Sequence, residues 1–138
     1  MPANTRVEPW VPQEDVLRFA DLVVCHGGSG TTFGALAAGV PAVVCPLFAD
    51  QAANGRAVRK SGAGVVVDRP VAAAPGALHG LGSQDVAPLR DAIEEVLSEP
   101  AYREASQQVA AEVSALPTLD EALERLLEDS EASARQPG

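Results

Sequence analysis

The 138-residue chain is 46% hydrophobic, holds 12 glycines and 11 prolines, and carries a formal net charge of −9. That length suits one domain with a core of its own, and the acidic balance argues against nucleic-acid binding through a basic face. No apolar run reaches the ~20 residues of a membrane span, and "MPANTRVEPW" lacks the basic-then-apolar order of a signal peptide, so the expectation is a cytoplasmic protein without a membrane span.

Taken in order, "TRVEP" predicts a short strand cut off by Pro9. "PQEDVLRFA" predicts a short helix, with Pro12, Glu14 and Asp15 early and Val16, Leu17, Phe19 and Ala20 apolar. Next come a strand "DLVVC", a helix "TTFGALAAG" closed by Gly39, and a strand "PAVVC". A helix "DQAANGRAVRKSG" closed by Gly62 and a strand "AGVVVD" follow. Strands that are continuously apolar and separated by helices imply a parallel sheet covered on both faces. The fold class is therefore α/β, a Rossmann-like parallel sheet with helices on both faces.

"RPVAAAPGALHGLGSQ" reads as a long Ala/Pro/Gly-rich loop, a surface insertion or a flap, with His79 as an incidental surface histidine. Three helices are expected after it. The first has Val86, Leu89, Ile93, Val96 and Leu97 at helical spacing; the last opens on a Thr118/Glu121 capping box. Residues 1–130 form one expected domain and 131–138 a frayed tail.

Charge is divided unevenly. Six acids balance six bases up to Gln84, whereas 13 acids face four arginines from Asp85 onward. A solvated helical surface is the simplest reading of that acidic end. Cys25 and Cys45, the only two cysteines, each end an apolar run and read as small buried hydrophobes. They have no CxxC or Cys/His spacing, so no metal site is expected. Cys25 and His26 point to opposite sides of a strand, which makes a Cys-His dyad a poor reading.

Within "VVCHGGSGTT" an apolar strand stops at His26, passes Gly27, Gly28 and Gly30, and turns into a helix. A helix N-terminus offers free N–H groups and about half a positive charge. Glycine lets an anion approach those groups, and ligands in such sheets bind beyond the carboxyl ends of the strands. An anionic group, phosphate above all, fits there. Ser29, Thr31 and Thr32 add hydroxyls and capping capacity, and His26 adds a donor beside the phosphate. A tight turn that only packs helix on strand is the other reading. The lysine of a P-loop is missing, and Gly28-Ser-Gly30-Thr-Thr-Phe-Gly34 is one residue too long for a dinucleotide fingerprint. A nicotinamide-type protein is therefore disfavoured.

The blocks "WVPQEDVL", "HGGSGTTFGALAAGVP" and "PLFADQAANGRAV", within Arg6 to Val67, together resemble the nucleotide-sugar-binding signature of family 1 glycosyltransferases of the GT-B fold. The likeness is nearest to bacterial members that decorate natural products, and it implies a partial GT-B C-terminal domain. By this resemblance Trp10 stacks on the nucleobase, while backbone at Val11 and the side chain of Gln13 read its edge. His26 and the loop Gly28, Ser29, Gly30 and Thr31 hold the diphosphate, and Asp50 and Gln51 bond hydroxyls of the donor sugar. For Trp10 a half-buried core role, and for Asp50-Gln51 an ordinary helix cap, stay open.

Uridine-nucleotide users of the family often carry a glutamate where Gly34 stands, so its absence favours a TDP-sugar over a UDP-sugar. The resemblance further implies inversion at the anomeric carbon, with the catalytic base and the small-molecule acceptor on a domain outside this chain. The chain itself then supplies no catalytic residue. Without an Asp-x-Asp motif, no metal or other cofactor is expected. The chain reads as a fragment or a truncated paralogue that binds donor without transferring sugar. The alternative is a non-catalytic nucleotide-binding or auxiliary interaction module derived from such an enzyme. Uncovered sheet edges in a shortened domain invite a homo-oligomer or a partner chain supplying the other half.

Overall fold

A computed structural model describes residues 2–67 and 81–134, with side chains described as far as residue 128. Its element order is α1 (Gln13–Leu17), β1 (Val23–Cys25), α2 (Ser29–Ala37), β2 (Ala42–Val44), α3 (Gln51–Ser61) and β3 (Gly64–Val66). A 3-10 turn (Ser83–Asp85) then leads into α4 (Val86–Ser98), α5 (Pro100–Ser114) and α6 (Leu119–Ala134). The three strands form one parallel sheet in the order β1-β2-β3, with Val24 opposite Val43 and Val43 opposite Val65.

The central strand shows why these runs are apolar throughout. Successive side chains of a strand point to opposite faces, and in β2 both faces are covered. Val43, with Cys45 and Val67, packs under Val96, Leu89 and Ile93 on the α4 side. Ala42 and Val44 pack with Val58 and Leu36 on the α2/α3 side. A third cluster of Leu17, Ala35 and Val40 seats α1 on α2. Both predicted helix stops hold: Gly39 and Gly62 have φ of 69° and 74°. Val40 N–H then bonds Ala35 O at 2.9 Å and Ala63 N–H bonds Val58 O at 3.2 Å. A side chain in the left-handed region would be strained at either point.

Several expectations are corrected. "TRVEP" forms no strand: residues 5–8 are irregular and exposed, and no described strand lies beside them to supply ladder partners. In α4 only Val96 is buried, with Leu89 and Ile93 partly so; Val86 and Leu97 lie on the outer side at 54% and 56% exposure. The apolar spacing is helical, but its stripe is wider than the contact. Helix α6 continues to Ala134, into the expected tail. Cys45 is buried and Cys25 half-buried, and the two form no disulfide. His79 and most of its loop lie outside the described residues. Among those described, no helix is long and apolar enough to cross a membrane.

Candidate functional site

The glycines after β1 have separate reasons. Gly27 adopts φ +89°, and a Cβ there would stand 2.7 Å from Val44 Cγ1 and 2.9 Å from the Gln51 carbonyl oxygen. Only glycine tolerates both the conformation and the contact. Gly28 is the N-cap of α2 and offers no side-chain cap. At Gly30 an added Cβ would meet nothing within 4 Å, so the backbone there is open.

The first backbone N–H bonded within α2 is that of Thr32, to Gly28 O at 3.0 Å. The N–H groups of Ser29, Gly30 and Thr31 precede it and have no partner within the helix. The hydroxyl capping expected from Ser29, Thr31 and Thr32 is not found: Thr32 is buried and its hydroxyl donates back to Gly28 O at 2.8 Å. His26 is exposed, and its ring folds over Gly28, where an added Cβ would lie 2.5 Å from Nε2. An imidazole edge and three free N–H groups therefore meet at the positive end of one helix, an arrangement suited to an anion.

Trp10 is 76% exposed, which removes the core-aromatic reading. With Gln13, Gly30 and Gly34 it lines a cavity of about 710 Å³ between α1 and α2. Val11 lies on the other side of Trp10, in a depression of about 570 Å³ shared with Arg6, Glu8 and Val16. The Gln13 amide lies against Gly34, with Nε2 only 2.2 Å from where a Cβ would be. Sequence reasoning placed these two residues in separate roles; the fold makes them neighbours, because α1 packs on α2 through Leu17.

The loop from β2 to α3 carries the remaining residues. Gln51 is buried, and its Oε1 accepts from the N–H groups of Leu47 at 2.8 Å and Phe48 at 3.0 Å. Its amide oxygen thus shapes the loop. Ala49 has φ 55°, a conformation that costs a non-glycine residue about 1–2 kcal/mol. The strain sits immediately before Asp50, whose carboxylate is exposed. Asp50 is the N-cap position of α3 without a side-chain capping bond, so the ordinary-cap reading fails for it.

A residue the motif reading passed over, Asn54, donates from Nδ2 to Gly27 O at 2.8 Å and to Asp50 Oδ2 at 3.2 Å. Its place one helical turn after Asp50 was the available signal. The structure thus brings Trp10, Gln13 and Gly30 to one cavity, and joins Asp50 to the glycine turn through Asn54. Neither His26, Asp50 nor Gln51 lines the Trp10 cavity. Among the described residues no group of three or more His, Cys, Asp or Glu side chains is placed to hold a metal.

Comparison with known proteins shows the family. The family described as erythromycin biosynthesis protein CIII-like, C-terminal domain, matches residues 1–128. Elloramycin glycosyltransferase of Streptomyces olivaceus is 40% identical over 126 residues, which are 91% of this chain and 28% of that enzyme. The solved structure of a spinosyn rhamnosyltransferase complexed with thymidine diphosphate is 34% identical with TM-score 0.76, over 93% of this chain and 32% of that one. The glycosyltransferase VinC, in complex with dTDP, is 28% identical with TM-score 0.75, over 96% of this chain and 30% of that one. The chain spans about a third or less of these relatives' length. It belongs to the EryCIII-like C-terminal domain family of glycosyltransferases, and its sheet is the α/β sheet of their GT-B fold.

Proposed function

We propose that this chain is the donor-binding portion of a glycosyltransferase that uses a thymidine diphosphate sugar and inverts its anomeric centre, with a natural-product-like hydroxyl as acceptor. The observation that carries the reading is the bare first turn of α2, open at Gly30 and overlaid by His26, next to a cavity walled by an exposed Trp10. Trp10 offers its ring to the base. The N–H groups of Ser29, Gly30 and Thr31, with His26, take the diphosphate, while the exposed Asp50 takes the sugar from a loop that the buried Gln51 holds in shape. When the acceptor hydroxyl attacks, negative charge grows on the departing diphosphate. Donors already aimed at that charge stabilise it without reorganising. The base that removes the acceptor's proton belongs to the other domain of such an enzyme, and no metal is invoked.

The base preference follows from Gly34. The Gln13 amide lies where a side chain at position 34 would begin, no carboxylate stands there to bond ribose hydroxyls, and a 2-deoxyribose presents fewer of them. The relatives whose structures carry thymidine diphosphate support the same choice.

Calorimetric titration of the chain with thymidine and uridine diphosphates tests the reading. Thymidine diphosphate is expected to bind more tightly, and His26→Ala to weaken it about tenfold, as for one charge-assisted hydrogen bond. A folded chain that binds neither nucleotide would favour the auxiliary-module reading. One observation speaks for that second reading: Phe19, between α1 and β1, and Val24, in the edge strand β1, are 88% and 45% exposed. A cytoplasmic homo-oligomer or a partner chain would cover them, and a clean monomer in sedimentation at high concentration would count against either.

A further inference from the structure

We infer that Asn54 is a positioning residue that locks the diphosphate-binding turn and the sugar-facing carboxylate into one unit; this rests on the donor-binding function proposed above. The two N–H bonds of a single amide nitrogen go to two different parts of the site, Gly27 O at 2.8 Å and Asp50 Oδ2 at 3.2 Å. A trans peptide is planar, so turning the Gly27 carbonyl toward α3 also fixes the opposite direction of the Gly28 N–H. Thr32 holds the Gly28 carbonyl, by its N–H at 3.0 Å and its hydroxyl at 2.8 Å, and Asn54 does the same for the Gly27 carbonyl, since neither glycine has a side chain of its own. At Gly27, α3 also presses on the turn, with Gln51 O within 2.9 Å of the missing Cβ.

The second bond orients Asp50. That carboxylate is exposed and follows a strained Ala49, so the loop alone leaves its rotamer free. The Asn54 backbone N–H accompanies the side chain by bonding Asp50 O at 3.0 Å. Asn54 itself touches neither nucleotide nor sugar in this reading. It acts through the groups it holds, so its loss reaches diphosphate and sugar together and spares the base.

Affinities of the full chain and its Asn54→Ala and Asn54→Asp variants for thymidine, thymidine diphosphate and a thymidine diphosphate sugar, measured across pH, test this. Asn54→Ala is expected to weaken both diphosphates about tenfold and to leave thymidine within about twofold. Asn54→Asp keeps the shape but, when ionised, cannot donate to Gly27 O and repels Asp50. Its loss at alkaline pH therefore exceeds that of Asn54→Ala. Relative to the unaltered chain at each pH, it recovers in acid, where the introduced carboxyl is protonated and donates again. Equal binding by all three chains overturns the inference. So does a parallel loss of thymidine and diphosphate without acid recovery, which marks a purely structural role. If the unaltered chain binds no thymidine diphosphate, the proposed function fails and this inference falls with it.

Discussion

The stretch from β1 to β3 and the helices after it obey different constraints. In the first, glycines are imposed from a distance. Gly27 is pressed by Val44 and Gln51, Gly55 by Val66 and Val44 at 3.1 and 3.2 Å, and Gly64 by the Ala42 carbonyl oxygen at 1.9 Å from an ideal Cβ. In the second, no glycine occurs between Ser83 and Pro137, and the side-chain hydrogen bonds of Ser98, Ser114 and Thr118 all reach only three or four residues along the chain. Thr118 and Glu121 cap α6 reciprocally, and the Ser114 hydroxyl donates to Ala110 O at 2.9 Å. Helix α6 leaves Leu119, Leu126 and Leu127 at 66% exposure or more. Where backbones nearly touch, residue identity is dictated by tertiary contact and one atom matters. Where a helix rests on few neighbours, local helix grammar suffices and single changes are absorbed.

The sharpest way to break that contrast is Gly27→Ala. Left-handed backbone costs about 1–2 kcal/mol and overpacking a further 1–3 kcal/mol, so a loss near 3 kcal/mol is expected in denaturant unfolding. An unchanged midpoint would mean the turn is not pinned as described. Trp10→Ala separates function from fold in the same region. Stability is expected to move by less than about 0.5 kcal/mol, since the ring is exposed, while thymidine diphosphate affinity falls about tenfold through lost stacking.

On the other side of the comparison, Leu123→Ala in α6 is expected to shift unfolding by under about 0.5 kcal/mol, because the side chain is 48% exposed. A large loss would reveal that α6 is held tightly after all. The smallest effect concerns acid. The Thr118 N–H, and then its hydroxyl, hold the Glu121 carboxyl below the ordinary glutamate value. A depressed carboxyl contributes stability that is fully present above the ordinary value and is lost as pH falls through its own lower one. The far-ultraviolet dichroism of α6 should therefore fray slightly in acid, and Glu121→Gln should abolish that slight dependence.

Much of the architecture is legible in the residues taken singly. Three apolar runs, two glycine helix stops, and the Thr118/Glu121 box each encode a local rule, and each is met in the fold. The turn at Gly27 to Gly30 was readable as a bare helix N-terminus, because helix ends and missing Cβ atoms have the same chemistry wherever they occur. "TRVEP" was misread because β-propensity does not make a strand without a neighbour to pair with. The hydroxyls near Gly28 were misread because a threonine in a helix's first turn can bond back to the preceding carbonyl, as Thr32 does.

What the sequence by itself determined is therefore the order of elements, the parallel sheet and the position of the bare helix end, all of which follow from side-chain periodicity and backbone freedom over a few residues. Only the tertiary structure decided that Gln13 lies on Gly34, that Gln51 shapes its own loop, and that Asn54 reaches back 27 residues to Gly27. Such contacts join segments that are distant along the chain. Their geometry is set by how α1 and α3 seat on α2 and the sheet, and no local pattern records it.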